Sequence, residues 1–399
     1  MLTSLSFIFL LGLAMAAICQ KLKLPRIIGM LITGIVLGPY VLDALDPSIL
    51  SISSELRKMA LIIILIKAGL SLDLKDLKAV GRSAVMMSCI PASCEILAFF
   101  IFAPFILGIT RIEAAVMGAV LGAVSPAVVV PRMVSLMERG YGTKKSIPQL
   151  ILAGASCDDI FVIVLFTTFV SMAQGDAVQI VDFVNIPVSI LLGIGLGALL
   201  GVLLSAFFET AYAHKHCIRN STKVVILLGF SFLLISIETW LDGIVSVSGL
   251  LAVVSMACAL KIKSVVFVSK RLSEKFGKLW IAAEVILFVL VGAAVDIRYT
   301  LEAGLAAVVM IFIALVFRGI GVSICLIGTK LSWKERLFCI IAYLPKATVQ
   351  AAIGSVPLSM GLACGKLVLS VAVLAILITA PLGAIGIDVS YKKLLERRQ

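Results

Sequence analysis

Ile147-Pro-Gln-Leu-Ile-Leu-Ala-Gly-Ala-Ser-Cys-Asp-Asp-Ile-Phe-Val-Ile-Val-Leu-Phe-Thr-Thr-Phe169 carries charge only at its centre, where Asp158 and Asp159 stand side by side. The run is long enough to cross a bilayer core of about 30 Å as helix. An acidic residue at the centre of such a helix costs roughly 2.5–3.5 kcal/mol on insertion scales, and here there are two. Carboxylates kept at that depth more often bind protons or cations than hold helices together. The Asp pair is therefore where the function is sought.

The rest of the chain agrees with a membrane setting. Of its 399 residues 61% are hydrophobic and 14% charged, and the mean hydropathy is +1.19. A soluble protein is nearer half apolar and a quarter charged, so the fold class is an all-α polytopic membrane protein, one integral domain surrounded by lipid. The net charge of +12 does not point to nucleic acid, because the basic residues sit in short loops between apolar runs. Nine cysteines are scattered without metal-ligand or CxxC spacing and read as small apolar packers. The first run, Leu2 to Cys19, has its basic residues after it. That predicts a retained first helix with the N-terminus outside; a cleaved signal peptide is the weaker alternative.

Thirteen spans are predicted, near 3–20, 26–42, 57–73, 83–107, 112–137, 147–174, 184–208, 222–240, 243–262, 277–296, 300–328, 335–359 and 365–388. With the N-terminus outside, twenty-five of the 34 Lys and Arg residues fall in cytoplasmic loops or the cytoplasmic C-terminus. Five (Arg57, Lys58, Arg111, Arg298, Lys366) fall outside, and Lys67, Arg132, Arg318 and Lys346 lie within spans. One missed span would scramble every later loop, so this asymmetry supports the topology.

An odd count fits two inverted six-helix repeats around a linking seventh helix. Span 5 is interrupted by Ser125-Pro-Ala-Val-Val-Val-Pro131 and span 12 by Pro345-Lys-Ala-Thr-Val-Gln350, each the fifth helix of its repeat. Paired broken helices at matching positions point to a transporter's binding site. At 1.5 Å per residue, the Asp pair, both breaks, Glu95 on span 4 and Arg318 on span 11 fall near mid-membrane.

Such a cluster suits cation–proton exchange. A carboxylate offers hard oxygen ligands to Na⁺ or Li⁺, supported by hydroxyls and by carbonyls freed at a helix break. Proton and cation then compete for one site. Successive helix residues project about 100° apart, so one Asp faces the ion path while the other meets a structural partner. Ser125, Pro126, Val128, Val129, Ser156 and Thr348 are candidate supporting ligands or break residues. Glu95 and Arg318 read either as a buried salt bridge or as direct ion handlers. Lys346 reads as compensating the carbonyl ends of the half-helices rather than binding substrate. Lys67 and Arg132 are expected to snorkel toward the cytoplasmic side. Glu284, about seven residues into span 10, either gates a cytoplasmic funnel or sits at the interface. His214 and His216 lie in a basic loop and read as solvated. No resident cofactor is expected; the metal at Asp159 and Asp158 would be the transported ion itself.

Ala153-Gly-Ala-Ser-Cys-Asp-Asp-Ile160 is similar to the Asp-Asp motif of the monovalent cation:proton antiporter-2 family. The two broken-helix motifs, with Pro91-Ala-Ser-Cys-Glu95 and Phe317-Arg-Gly319, resemble its NHA branch of sodium/proton antiporters. Leu24-Pro-Arg-Ile-Ile-Gly…Gly-Pro39 resembles a more general antiporter pattern. The resemblance spans essentially the whole chain. It implies an NhaA-like fold, a core domain of about 83–174 and 300–388, a dimerisation domain of about 1–73 and 222–296, and a linking helix of about 184–208. It also implies a homodimer in the cell (inner) membrane, elevator-like movement of the core, and Asp159 as main carrier with Asp158 as its neighbour. Where many electrogenic relatives have a lysine, this chain has Arg318, which does not release its proton at physiological pH. Arg318 is then expected to pair with Glu95 or Asp158.

Other readings keep the fold and change the cargo: a K⁺/H⁺ antiporter, or a sodium-coupled symporter of an organic anion presented to half-helix N-termini. A channel would be told apart by ohmic currents without proton coupling. An intramembrane aspartyl protease needs two carboxylates sharing a proton, and adjacent residues on one helix diverge. The chain is not expected to be an enzyme.

Overall fold

The computed structural model describes residues 1–22, 24–71, 81–174, 180–213, 218–241, 247–296 and 304–397. Lys23, Lys75, Lys78, Lys215, Arg298 and Arg398, counted above for topology, lie outside the described residues, as do His214, His216 and the side chain of Ser156.

Among the described residues the regular structure is helical, apart from one 3₁₀ turn at Thr143–Lys145 and an isolated bridge between Tyr141 and Arg397. The first helices are α1 (Leu2–Lys21), α2 (Arg26–Leu37), α3 (Pro47–Ser51), α4 (Ser53–Ser71), α5 (Arg82–Met87) and α6 (Ile90–Leu107). Next come α7 (Arg111–Leu121), α8 (Pro126–Glu138), α9 (Ile147–Gln174), α10 (Ile180–Ala213), α11 (Asn220–Leu241) and α12 (Gly249–Lys263). The chain continues through α13 (Val266–Ala293), α14 (Gly304–Cys325), α15 (Trp333–Ala342), α16 (Thr348–Ile353), α17 (Val356–Ser359) and α18 (Gly365–Leu394). Helix occurs in every predicted apolar run. Among the described residues, eight stretches are long and apolar enough to cross a membrane: α1, α5 with α6, α9, Leu191–Ala211 within α10, α11, α13, α14 and α18. The chain is a multi-pass membrane protein.

By its contacts the chain divides into two units: Met1–Arg57, Asp73–Gln174 and Val285–Gln399 in one, Lys58–Leu72 and Gly175–Glu284 in the other. Within the second, α12 packs against α10 and α11, and Lys67 stands over the Trp280 ring at 5.9 Å. Within the first, α6 packs against α14 and α7, and α7 against α9. This unit holds the Asp pair and both helix breaks.

The two broken helices are built alike. Each opens on a capping box, Thr110 with Glu113 in α7 and Ser332 with Glu335 in α15, which satisfies the first orphaned N–H groups. α7 ends at Leu121; the backbone is extended at Ser125, and Pro126 at the first helical position restarts it as α8. α15 ends at Ala342, Pro345 has no N–H to continue it, and α16 begins at Thr348. The Ser125 N–H donates to the Pro345 carbonyl at 2.7 Å, so the breaks meet backbone to backbone. Gly383 on α18 lies so close to the Pro345 ring that a side chain there would overlap it.

Several expectations are corrected. Span 10 starts earlier: α13 runs from Val266, because Lys270, Arg271, Leu272, Glu274, Lys275 and Lys278 are good helix formers and outweigh Gly277. Lys270, Arg271, Lys275 and Lys278 thus lie on helix, and Glu284 sits eighteen residues past its start rather than about seven. Span 2 ends as helix at Leu37, before Gly38-Pro39, rather than at 42. Arg57, counted on the outer side at the start of span 3, falls inside α4 and is buried. Arg132 has fixed partners: its Nε and Nη2 donate to the exposed Asp388 carboxylate at 3.1–3.3 Å, and its Nη1 to the Val128 carbonyl at 3.0 Å.

Candidate functional site

Arg318 on α14 is fully buried and is the hub. Its Nη1 donates to Glu95 Oε2 at 2.8 Å and to the Gly122 carbonyl at 2.5 Å. Nη2 donates to Asp158 Oδ2 at 3.0 Å, and Nε to the Tyr343 carbonyl at 2.6 Å. The guanidinium also lies 5.5 Å from the centre of the Tyr343 ring. A guanidinium offers five N–H donors in a fixed fork, and four acceptors on four different segments engage it here. The sequence posed pairing with Glu95 or with Asp158; the structure has both.

Two of those acceptors are the carbonyls just past the last turns of α7 and α15, where helix dipoles leave partial negative charge. Lys346 extends the same role. Its Nζ lies 2.7 Å from Glu95 Oε1 and donates to the Leu121 carbonyl. Its own N–H donates to Thr379 Oγ1 on α18 at 3.0 Å. Gln350 completes the set: Nε2 donates to the Ala123 carbonyl at 2.8 Å, and Oε1 accepts from the Ala347 N–H at 2.8 Å. The carbonyls of Leu121, Gly122 and Ala123 are thus met by Lys346, Arg318 and Gln350 in turn.

The two aspartates part company. Asp158 Oδ2 takes Arg318 and also the Val124 N–H at 2.8 Å, and Asp158 is fully buried. Asp159 retains 8% exposure, and its Oδ1 is buried with no hydrogen-bond partner. Ser125 Oγ, at the start of α8, and Thr348 Oγ1, at the start of α16, are likewise buried and unpartnered. Val128 and Val129 are buried in the first turn of α8. With their ordinary charges, Arg318 and Lys346 balance Glu95 and Asp158. Asp159 is the remainder, one negative charge on an unengaged oxygen.

Glu284 belongs to the other contact unit. Sequence reasoning missed Tyr343, Gln350, Thr379 and the Val124 N–H. Gln350 was within reach, as an amide inside an otherwise apolar run beside the break. The others act through backbone atoms or lie across the fold, and carry no local signal.

Comparison with known proteins finds a match over residues 6–390 to the family described as sodium/hydrogen exchanger, transmembrane. The human sodium/hydrogen exchanger 9B2 is 33% identical over 391 residues, covering 94% of this chain and 70% of that protein. The human sodium/hydrogen exchanger 9B1 is 33% identical over 400 residues, covering 94% and 73%. Among solved structures, the sodium proton antiporter MjNhaP1 from Methanocaldococcus jannaschii at pH 8 superposes with a TM-score of 0.82 at 23% identity, covering 98% of each chain. That likeness speaks for the fold.

Proposed function

The chain belongs to the sodium/hydrogen exchanger family, and on that footing we propose that it exchanges Na⁺ or Li⁺ for H⁺ across the membrane, with Asp159 as the carrier. The observation that carries this reading is the division of labour in the Asp pair. Asp158 is engaged by Arg318 and the Val124 N–H, while Asp159 Oδ1 has no hydrogen-bond partner. A single uncompensated carboxylate takes one proton or one monovalent cation, and each excludes the other. The exchange is therefore one for one and electroneutral.

Ser125 and Thr348 supply further oxygens, since both hydroxyls are buried without a partner; Ser156, two and three residues from the aspartates, is a further candidate. Glu95, Arg318, Lys346 and Gln350 hold the crossing rather than the ion. Lys346 had left room for an organic anion, but its ammonium is committed to Glu95 and the Leu121 carbonyl. In this reading thirteen spans form two inverted repeats, the N-terminus is outside, and the C-terminus is cytoplasmic. The core, about 83–174 and 300–388, moves by an elevator step against a dimerisation domain in a homodimer of the cell membrane.

The test is proton flux in proteoliposomes with Na⁺, Li⁺ and K⁺ offered in turn at a clamped membrane potential. Flux with Na⁺ or Li⁺ that ignores the potential supports the proposal. Dependence on K⁺ alone, or a requirement for an organic solute, overturns it.

A further inference from the structure

The loop that precedes α9 reaches across to the start of α15 on the side read as cytoplasmic. Lys145 Nζ lies 2.7 Å from Glu335 Oε2, and the Glu335 side chain is only 3% exposed. The same oxygen accepts the Ser332 N–H at 2.7 Å, so it caps α15 and holds Lys145 together. The loop is itself pinned. The Gly142 N–H donates to the Glu396 carbonyl at 2.8 Å, and the Tyr141 ring packs edge-on against Tyr391 at 4.9 Å.

From this base two rods run toward the site. Ile147 to Asp158 spans about 17 Å of helix, and Glu335 to Ala342 about 10 Å. Between them Ile147, Leu150 and Ile151 share one buried cluster with Phe338, Cys339 and Tyr343. At the far end Arg318 binds Asp158 and the Tyr343 carbonyl together, two residues before the Pro345–Ser125 contact. The two rods are thus joined at both ends with an apolar seam between.

We propose that Lys145 and Glu335 are positioning residues for the exchange: their ion pair sets the axial register of α15 against α9, and so the placement of the helix crossing beside Asp159. The inference rests on the function proposed above. A closed frame transmits a shift at one end to the other because packed helices move as rigid bodies rather than deform. Losing the Lys145 ammonium leaves a buried carboxylate with its cap alone, and α15 is released to slide.

The test is steady-state Na⁺/H⁺ exchange by the full chain in proteoliposomes, with the melting temperature measured in parallel. Lys145→Met should raise the apparent KM for Na⁺ about fivefold or more, with maximal rate changed much less. Lys145→Arg should restore KM, and Glu335→Gln, which keeps an oxygen for the Ser332 N–H, should repeat the defect. Combined, Lys145→Met and Glu335→Gln should be no worse than either alone. Should Lys145→Met fail to reach the membrane, Glu335→Gln with a raised KM and Lys145→Arg with an unchanged one decide. An unchanged KM with a lowered melting temperature, or additive defects, overturns the proposal. Absence of exchange in the unaltered protein would instead strike the function on which it rests.

Discussion

Arg318 Nη2 lies 3.0 Å from Asp158 Oδ2, whereas Asp159, the next residue, leaves Oδ1 buried and unbonded. Adjacent positions on a helix point about 100° apart, so one carboxylate is turned into the charge network and the other away from it. The two should therefore fail differently when neutralised. Asp159→Asn is expected to abolish Na⁺-driven proton movement in proteoliposomes while leaving the melting temperature unchanged or raised. Asp158→Asn removes one of the two carboxylates that balance Arg318 and Lys346 and leaves a buried positive charge uncompensated, and removing one partner of such a pair costs about 3–5 kcal/mol. Its signature is a large drop in melting temperature. Full activity in Asp159→Asn would remove that residue from the carrier role.

Arg318 also joins two helix breaks, which makes its geometry as necessary as its charge. A lysine is a point donor on a flexible stem and does not reach Glu95, Asp158, Gly122 and Tyr343 together. Arg318→Lys is expected to lower the melting temperature and impair exchange, and Arg318→Met to prevent stable folding. Wild-type stability in Arg318→Lys would show that charge alone suffices.

Competition at Asp159 fixes the direction of the pH response. As pH falls, the proton occupies the carboxylate and the cation must displace it. The apparent KM for Na⁺ then rises by up to about tenfold per pH unit within the titrating range, and falls again as pH increases. Maximal rate at saturating Na⁺ should change far less. Fluorescent proton-flux assays at several fixed pH values check this; a KM independent of pH would mean that proton and cation use different groups.

How much of this was legible in advance divides along physical lines. Broken helices announce themselves through Ser125-Pro126 and Pro345, because proline removes a donor and starts helices. Mid-membrane charge is conspicuous, so Asp158, Asp159, Glu95, Arg318 and Lys346 were visible. Register was not. That Arg318 contacts Glu95 and Asp158 at once depends on side-chain reach across three helices, which spacing along one chain does not encode. The start of α13 is hidden in the sequence because its charged residues look like a loop, although Lys and Glu extend helices readily. The pairing of Arg132 with Asp388 carries no local signal either, because the two are 256 residues apart.

Gly154 tests the same frame from inside. It lies one turn before Asp158 on α9, and a methyl built there would overlap the Tyr343 hydroxyl. Tyr343 is fully buried, so its ring has nowhere to retreat without moving the backbone whose carbonyl holds Arg318. Overpacking of this kind costs about 1–3 kcal/mol in a close-packed interior. Gly154→Ala is therefore expected to lower the melting temperature and weaken Na⁺ affinity together, since the displaced Tyr343 carries the Arg318 anchor with it. Adding Tyr343→Phe removes the clashing oxygen, which has no hydrogen-bond partner to lose. That second change should recover most of both defects. Recovery of stability without recovery of affinity would separate the packing of α15 from the placement of the site.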